Sequence, residues 1–573
     1  MLGKIIRTAF GRHARVLTIG VLVVFPSVVP AQWMISRGSG LGDALGAPVG
    51  GDVERLVRAM MVAGTIEMLP WSARPLSAAD LQILFADSSM RGRPIPWRNR
   101  RSHASGLQFL GPSLVTSWNS GYPWGANDGA IAAGRGSTSA LGLGVAGRFG
   151  PLTLIVAPSV ILSQNAAFPL LTRESASDAQ YRDGQFADFV DRPQRFGGTA
   201  YATFDLSQTQ LRADFKYLSV GAGTENVGWG TSEQFAPVLG PNAAGFVHGF
   251  IGTPASGIRL EDFGTIAVRY LSGRLEQSSY SPVRGSRTFQ SIDEPGTVRL
   301  ATGLAASWLP AFAPQLELGA TRLFISPFFT GARKWRTLRK PFEGVFKSKR
   351  ERSNEAPGDE LGDLDNQLGT LYARWRLPKR GAEFSLEWLR EDNSFDSRDL
   401  AQEPEQNAAI VAGFRVATER SVRRLGMLTV ELFDGDIAPI GRQRDQGNLY
   451  IHIPLRQGAT NRGQLLGAPI GVGAVSGQRI EWERFDSTGS WRVNAERWNQ
   501  RFQRNVSVGS LVFDAQNKIA ASRQTVFDLG VTRLLLRPNR PAFSLGAGLG
   551  VTEAFNFADR RLNFRLNAAV RGW

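Results

Sequence analysis

From Leu107 onward the chain alternates apolar and polar positions with a period of two. In "QLRADFKY" (210–217) Leu211, Ala213, Phe215 and Tyr217 oppose Arg212, Asp214 and Lys216. In "TLYARWRL" (370–377) Leu371, Ala373, Trp375 and Leu377 oppose Tyr372, Arg374 and Arg376, and "EFSLEWL" (383–389) sets Phe384, Leu386 and Trp388 against Glu383, Ser385 and Glu387. The final stretch, "RLNFRLNAAVRGW" (561–573), repeats the rule with Leu562, Phe564, Leu566, Ala568 and Val570 on one parity and Arg561, Asn563, Arg565 and Asn567 on the other. Each stretch predicts a β-strand with one apolar and one polar or charged face. Alternation leaves the environment open. A soluble sandwich turns its charged face to water, whereas an outer-membrane barrel turns it into its lumen and gives the apolar face to lipid.

Connection lengths separate the two. Short turns at 149–151, 205–208, 310–314, 378–381 and 537–541 alternate with long polar connections at about 165–197, 225–264, 327–366, 434–477 and 500–524. Tight turns at one end and long loops at the other mark an outer-membrane barrel, with periplasmic turns and extracellular loops. The expectation is an all-β fold: a transmembrane barrel of about eighteen antiparallel strands over 107–573, with both ends in the periplasm. A last strand that is apolar outside, polar inside and closes on an aromatic residue suits recognition by the barrel assembly machinery. Trp573 is off parity with Leu562 to Val570, which implies a bulge near Gly572 or an atypical signal.

Ahead of the barrel the period changes. Lys4, Arg7, Arg12 and Arg15 precede the apolar run "VLTIGVLVVFPSVVPA", with Val29 and Ala31 at the positions of a cleavage site; residues 1–31 read as a secretory signal peptide. The run is too short, and too broken by Pro26 and Pro30, for the roughly 20 residues of a spanning helix. Within 32–106, "GDVERLVRAMMVAG" predicts a helix with Asp52 as N-cap, Leu56, Met60 and Ala63 on one face and Gly64 as stop. "RPLSAADLQILFAD" predicts a second, with Ser77 and Asp80 at capping-box spacing and Leu81, Leu84 and Phe85 as its apolar stripe. Two such short helices need a larger body to pack on, and a plug at the periplasmic mouth supplies one.

Composition adds a partner class and removes several chemistries. The 573 residues contain no cysteine, so no disulfide staples the fold. The formal charge is +16, and four of the basic residues lie in the signal, which leaves about +12. An exported basic protein meets acidic polysaccharide or lipopolysaccharide and outer-membrane lipid, not nucleic acid. His103, His248 and His452 are scattered, and the chain shows no nucleophile elbow, no metal-binding helix motif, no phosphate loop and no calcium loop. Neither an enzyme, nor a cofactor, nor a metal site is expected.

Three stretches carry the candidate binding residues. "GTENVGWGTSEQFAPVLGPNAAGFVHGFIGT" (223–253) is rich in glycine and aromatics; Trp229, Phe246 and Phe250 either stack on sugar rings or pin a loop folded into the lumen. In "GATNRGQLLGAPIGVG" (458–473), Arg462 either clasps a uronate carboxylate or pairs with a lumen Asp or Glu. "GARKWRTLRKPFEGVFKSKRERS" (331–353), with Lys334, Arg336, Arg339 and Lys340, holds nine basic and two acidic residues. It reads as an extracellular loop that meets lipopolysaccharide phosphates or captures acidic glycan.

The order of signal, small helical segment and eighteen-stranded barrel, together with "PWSARPLSAADL" (70–81), "GTENVGWGTS" through "LGPNAAGF" (223–246) and "GATNRGQLLGAPIG" (458–471), resembles the capsule assembly Wzi family of outer-membrane proteins. The resemblance implies a barrel occluded from the periplasm by a small helical bundle, and a lectin that attaches capsular polysaccharide to the cell surface. It implies roles for Trp229 and Gly230 in a Trp-Gly motif, for Asn242 after it, and for Arg462 with Gly463 in a late Arg-Gly motif. The chain departs from the family at Gly228 to Thr231, where a double Trp followed by Gly-Pro is common, and at Asn461, where a histidine is common. The polysaccharide-binding candidates are therefore Trp229, Asn242, Arg462, Lys334, Arg336, Arg339 and Lys340. The expected function is an outer-membrane lectin or assembly factor for capsular or other surface polysaccharide; the rival is a porin-like channel for solutes or oligosaccharides.

Overall fold

Period-two segments in the second half of the chain pair in sequence order, each antiparallel to the last, and the ladder closes on itself. The computed structural model describes residues 46–85, 106–171, 178–283, 298–328, 331–344, 365–391, 396–402, 404–405, 407–421, 423–435, 449–452, 455–501, 523–537, 541–556 and 558–571. The expected signal, most of the 500–524 connection and Trp573 lie outside these residues. The barrel has the expected eighteen strands. They are β1 (Gly106–Asn119), β2 (Gly136–Phe149), β3 (Leu152–Val156 continuing as Ser159–Ser163), β4 (Tyr201–Asp205 continuing as Gln210–Asp214), β5 (Ser219–Gly223) and β6 (Val247–Gly252 continuing as Ile258–Leu260). Then follow β7 (Gly264–Glu276), β8 (Val298–Pro310), β9 (Leu316–Pro327), β10 (Asn366–Leu377), β11 (Ala382–Glu391) and β12 (Ala408–Arg420). The circuit ends with β13 (Arg424–Asp434), β14 (Val475–Asp486), β15 (Gly489–Arg501), β16 (Arg523–Leu535), β17 (Ala542–Phe555) and β18 (Asp559–Arg571). β18 pairs with β1 from Arg565↔Asn119 to Arg571↔Ser113, so the last strand leaves no edge open.

The faces are arranged as in a membrane barrel. On β10, Leu371 and Trp375 are 56% and 54% exposed while Arg374 between them is fully buried. Phe384 and Leu386 likewise point outward, and Glu383 and Glu387 inward. Around the short turns, Phe149, Phe215, Tyr217, Phe263, Phe312 and Trp491 are exposed, an aromatic girdle at one interface.

The wall is interrupted near its start. Pro158, which cannot donate to a ladder, breaks β3, and the four residues Leu206–Thr209 bulge out of β4 opposite it, with Ala157 bridged to Ser207. The turn expected at 205–208 is therefore a bulge within one strand; the chain turns at Phe215–Leu218, where the Phe215 amide donates to the Leu218 carbonyl at 2.7 Å. The long connection expected over 225–264 ends at Phe246, because β6 occupies most of its second half. The stretch 331–353 begins as a helix, α3 (Gly331–Arg339), and residues 345–353 lie outside the described part.

Among the described residues, two helices precede the barrel. In α1 (Asp52–Val62), Leu56, Met60 and the following Ala63 are buried as expected, but the N-cap is Gly51, and Asp52 stands in the first turn, paired with Arg55. Gly64 ends the helix at φ +75°, and a Cβ there would lie 3.1 Å from Pro378 in the β10–β11 turn. The capping box of α2 (Ala78–Phe85) forms: the Ser77 amide donates to Asp80 Oδ2 at 2.8 Å, and the Asp80 amide to Ser77 Oγ at 3.1 Å. Leu81 and Leu84 join Leu56, Met61 and Trp71 in an apolar cluster that reaches Leu425 and Phe485 beside the short turns. A second, larger cluster, including Trp229, Phe235, Phe250, Phe433 and Trp498, fills the barrel above it.

The inverted faces generate a test. Leu371 lies midway along β10, so Leu371→Arg should destabilise the barrel by about 2–4 kcal/mol in lipid. Urea unfolding from vesicles measures this; a neutral substitution would mean that the exposed face does not meet lipid.

Candidate functional site

The lumen is filled in three tiers, and each tier is held by charges that the strands turn inward. At the turn end, Arg374 of β10 pairs with Glu317 at 2.7 Å and Glu383 at 3.1 Å, all three fully or almost fully buried. Arg58 of α1 reaches the same Glu383 at 2.5 Å, and the Trp71 amide donates to Glu317 at 2.8 Å. Arg376 donates to the carbonyls of Met61 at 2.9 Å and Ile66 at 2.8 Å. The Trp71 ring packs against the guanidinium groups of Arg58 and Arg74, 4.6 and 5.1 Å from its centroid. An uncompensated inward charge would be costly in this setting, so plug and wall neutralise each other.

The middle tier is the connection between β5 and β6. Its backbone crosses the lumen and presents amides to wall carboxylates: Thr231 to Glu387 at 3.0 Å, Glu233 and Gln234 to Glu431 at 3.0 and 2.8 Å. Gly230, at φ +81°, is needed because a Cβ would fall 2.3 Å from Glu387 Oε1. Trp229 is fully buried, and its ring lies where a side chain on Gly303 of β8 would sit. Of the two roles open to Trp229, pinning the inward loop is the one its position serves. Phe250 is also buried, under the guanidinium of Arg269 at 4.6 Å.

The upper tier comes from the connection between β13 and β14. Arg299 of β8 donates to the carbonyls of Gly458 at 2.6 Å and Thr460 at 2.8 Å. Thr460–Asn461 and Gln464–Leu465 form a small hairpin with Arg462 and Gly463 at its tip, at φ +51° and +86°. Here the wall has a notch, since β5 and β6 stop short and the Tyr201–Asp205 half of β4 has a strand partner on one side only. The hairpin fills it. The Arg462 amide donates to the Glu276 carbonyl of β7 at 2.8 Å, and its guanidinium reaches Asp205 Oδ2 at 2.5 Å and the Phe204 carbonyl at 3.2 Å. The pairing with an inward acidic residue is thus the role observed for Arg462, and Asn461 joins it by accepting from the Glu276 amide at 2.9 Å.

Above these tiers, at the long-loop mouth, lies a cavity of about 300 Å³. It is bounded by the β1–β2 connection, the segment 192–196, Gly463 and Gln464, and the ends of β15 and β16. Asn242 lines it and ties three loops together: it accepts from the Asn127 amide at 3.4 Å and donates to the Leu465 carbonyl at 2.9 Å. Trp124 leans on Trp498 with centroids 4.5 Å apart, and its indole N–H is held by Asp528. Asp128 faces the cavity, accepts a backbone bond from Ala126, and makes no ion pair among the described residues. Asp128 is exposed at the mouth, and the loops around it still desolvate its carboxyl enough to raise it above the ordinary range, against the pull of Arg565 and Arg492. Of the binding candidates whose side chains are described, Asn242 borders this cavity, as does Gly463 of the Arg-Gly pair. Trp124, Asn127 and Asp128 were missed; the signal for them is the run "WGANDG" (124–129), an aromatic beside turn-forming Asn, Asp and Gly in a connection between strands.

The basic candidates lie elsewhere, on α3 and the turn after it, which lean on β7 through the bond from the Tyr270 hydroxyl to the Leu338 carbonyl at 2.8 Å. Arg336 and Arg339 are exposed there. Lys340 is partly buried and paired with Asp365. Lys334 belongs to the same helix, but its side chain lies outside the described residues.

No protein-family model and no curated protein matches the chain. Solved structures are similar to it. Wzi of Escherichia coli, an outer-membrane protein involved in group 1 capsule assembly and described as a carbohydrate-binding β-barrel, aligns over 92% of this chain and 99% of its own with a TM-score of 0.55 and 13% identity. OccK2 of Pseudomonas aeruginosa aligns over 81% of this chain and 99% of its own (TM-score 0.39, 9% identity). OprD of the same organism aligns over 82% and 93% (TM-score 0.36, 10% identity).

If Arg462 seals the notch, Arg462→Ala should strip Asp205 Oδ2 and the Phe204 carbonyl of the guanidinium and leave Asp205 with the Ser207 amide, at a cost of about 1–3 kcal/mol. Proteinase K should then cut within 455–470 faster than in the native protein. Equal resistance would remove the sealing role.

Proposed function

We propose that this outer-membrane barrel is a non-enzymatic polysaccharide-binding protein, which attaches or helps to assemble a capsular or other surface glycan at its long-loop mouth. The observation that carries this reading is a cavity lined by aromatic and amide side chains, set above a lumen that three tiers of polypeptide occupy. A filled lumen suits a stationary ligand better than a permeating one, which disfavours the porin-like alternative. The fold shared with the carbohydrate-binding Wzi barrel supports the same choice. Asn242 acts in this reading by fixing the cavity floor, and Trp229 and Arg462 by holding the loops that shape it. Arg336 and Arg339, with Lys334 and Lys340, supply a field that draws acidic glycan or lipid phosphate to the mouth. That field fades over roughly 8 Å at physiological salt, so it raises encounter and avidity without choosing the sugar.

Two measurements test the proposal. In planar bilayers the intact protein should show no steady ion flow; sustained conductance would favour the channel. Replacing Lys334, Arg336, Arg339 and Lys340 by Ser should weaken retention of an acidic surface polysaccharide and flatten its salt dependence, with heat-modifiable migration unchanged. Retention that stays the same across a salt series would leave the basic helix as a contact for lipopolysaccharide alone.

A further inference from the structure

The charge of the chain points to acidic glycan, but the cavity at the long-loop mouth has a different chemistry. Asp128 is the acidic residue that borders it, and its carboxylate can only accept hydrogen bonds when ionised. The two arginines on the wall are already engaged. Arg192 binds Asp183 through Nε at 2.8 Å and Nη2 at 2.7 Å, while Arg195 donates to the Asn165 carbonyl at 2.6 Å and the Gly198 carbonyl at 3.1 Å. The same cavity is lined by side-chain amides, Gln464 and Asn499 among them, and by Trp124.

Resting on the reading of this mouth as a glycan site, we propose that the cavity takes a neutral sugar ring, recognised through its hydroxyl groups, and rejects uronate residues. A carboxylate accepts from two hydroxyls at once, an amide both donates and accepts, and an indole covers the C–H face of a pyranose. This set matches a hexose with neighbouring hydroxyls. A uronate would bring a second carboxylate close to Asp128, which repels it at contact distance even though Asp128 itself is exposed to water. The positive field of α3 does not cancel this, because α3 leans on β7 while the cavity is bounded by β15 and β16. Acidic residues of a mixed polymer are thus gathered at α3, and a neutral residue is held in the cavity.

Isothermal titration of the whole detergent-solubilised protein tests this, with short oligosaccharides of glucose, mannose and galactose set against the corresponding oligouronates. At least one neutral series should bind about tenfold or more tightly than its uronate, the weight of a hydrogen bond to a charged group. Asp128→Asn should narrow that gap by strengthening uronate binding relative to the neutral sugar. Trp124→Ala should weaken the neutral sugar, with heat-modifiable migration reporting that both variants are folded. Equal or tighter binding of uronates by the native protein, or a gap unmoved by Asp128→Asn, overturns the selectivity and leaves polysaccharide binding standing. If the native protein binds its surface polysaccharide but Trp124→Ala and Asp128→Asn both bind it unchanged, the cavity is not the site. If the native protein retains no polysaccharide at all, the parent reading falls and this inference with it.

Discussion

The rest of this structure depends on one constraint: a closed ring of eighteen strands encloses more space than its own inward side chains can fill. Water would satisfy that space in a pore. Here polypeptide does, and every backbone amide that leaves the ladder must find an acceptor inside. Glu317, Glu387 and Glu431 provide them, each fully or almost fully buried on a strand and each taking amides from the plug or the β5–β6 connection. The inward carboxylates of this barrel hold its filling in place.

Wall and filling are consequently interdependent. Arg374 and Arg376 send donors down to the carbonyls of the plug, while Arg299 does the same upward for the hairpin at Thr460–Leu465. The dependence also runs the other way. β5 and β6 are short because the chain leaves the wall at Gly223 to enter the lumen, and the notch this opens is closed by Arg462 from a connection more than two hundred residues later. Long-range polar contacts of this kind couple the strand register to the loop path, so the mouth is shaped by the whole circuit.

What was legible in the sequence follows from this division. The faces of β10 and β11 could be read from Leu371, Arg374, Leu386 and Glu387 because a period of two survives any partner, and Ser77 with Asp80 because a capping box is local. The bulge at Leu206–Thr209 was mistaken for a turn, since its polar residues look alike in both settings and only Pro158 on the neighbouring strand distinguishes them. Trp229 and Arg462 drew notice as unusual residues in glycine-rich connections, but their partners, Gly303 and Asp205, lie far away in sequence and no local pattern names them. Asp128 and Trp124 went unnoticed because a single aromatic and a turn signal gain meaning only when three other loops converge on them.

Net charge gave an incomplete guide to the site for a related physical reason. Arg58, Arg74, Arg299, Arg374 and Arg415 are buried and largely committed to carboxylates or carbonyls of this same chain, so they contribute little to what an external ligand meets. In the proposed function, a ligand approaching the mouth would feel the exposed cations of α3 at long range and the local chemistry of the cavity at contact range. Within that cavity Asp128 carries no ion pair among the described residues, whereas Arg192, which also lines it, is matched by Asp183. On the proposed glycan reading, attraction and recognition fall to different parts of the rim, and the sugar that is captured need not be the sugar that is read.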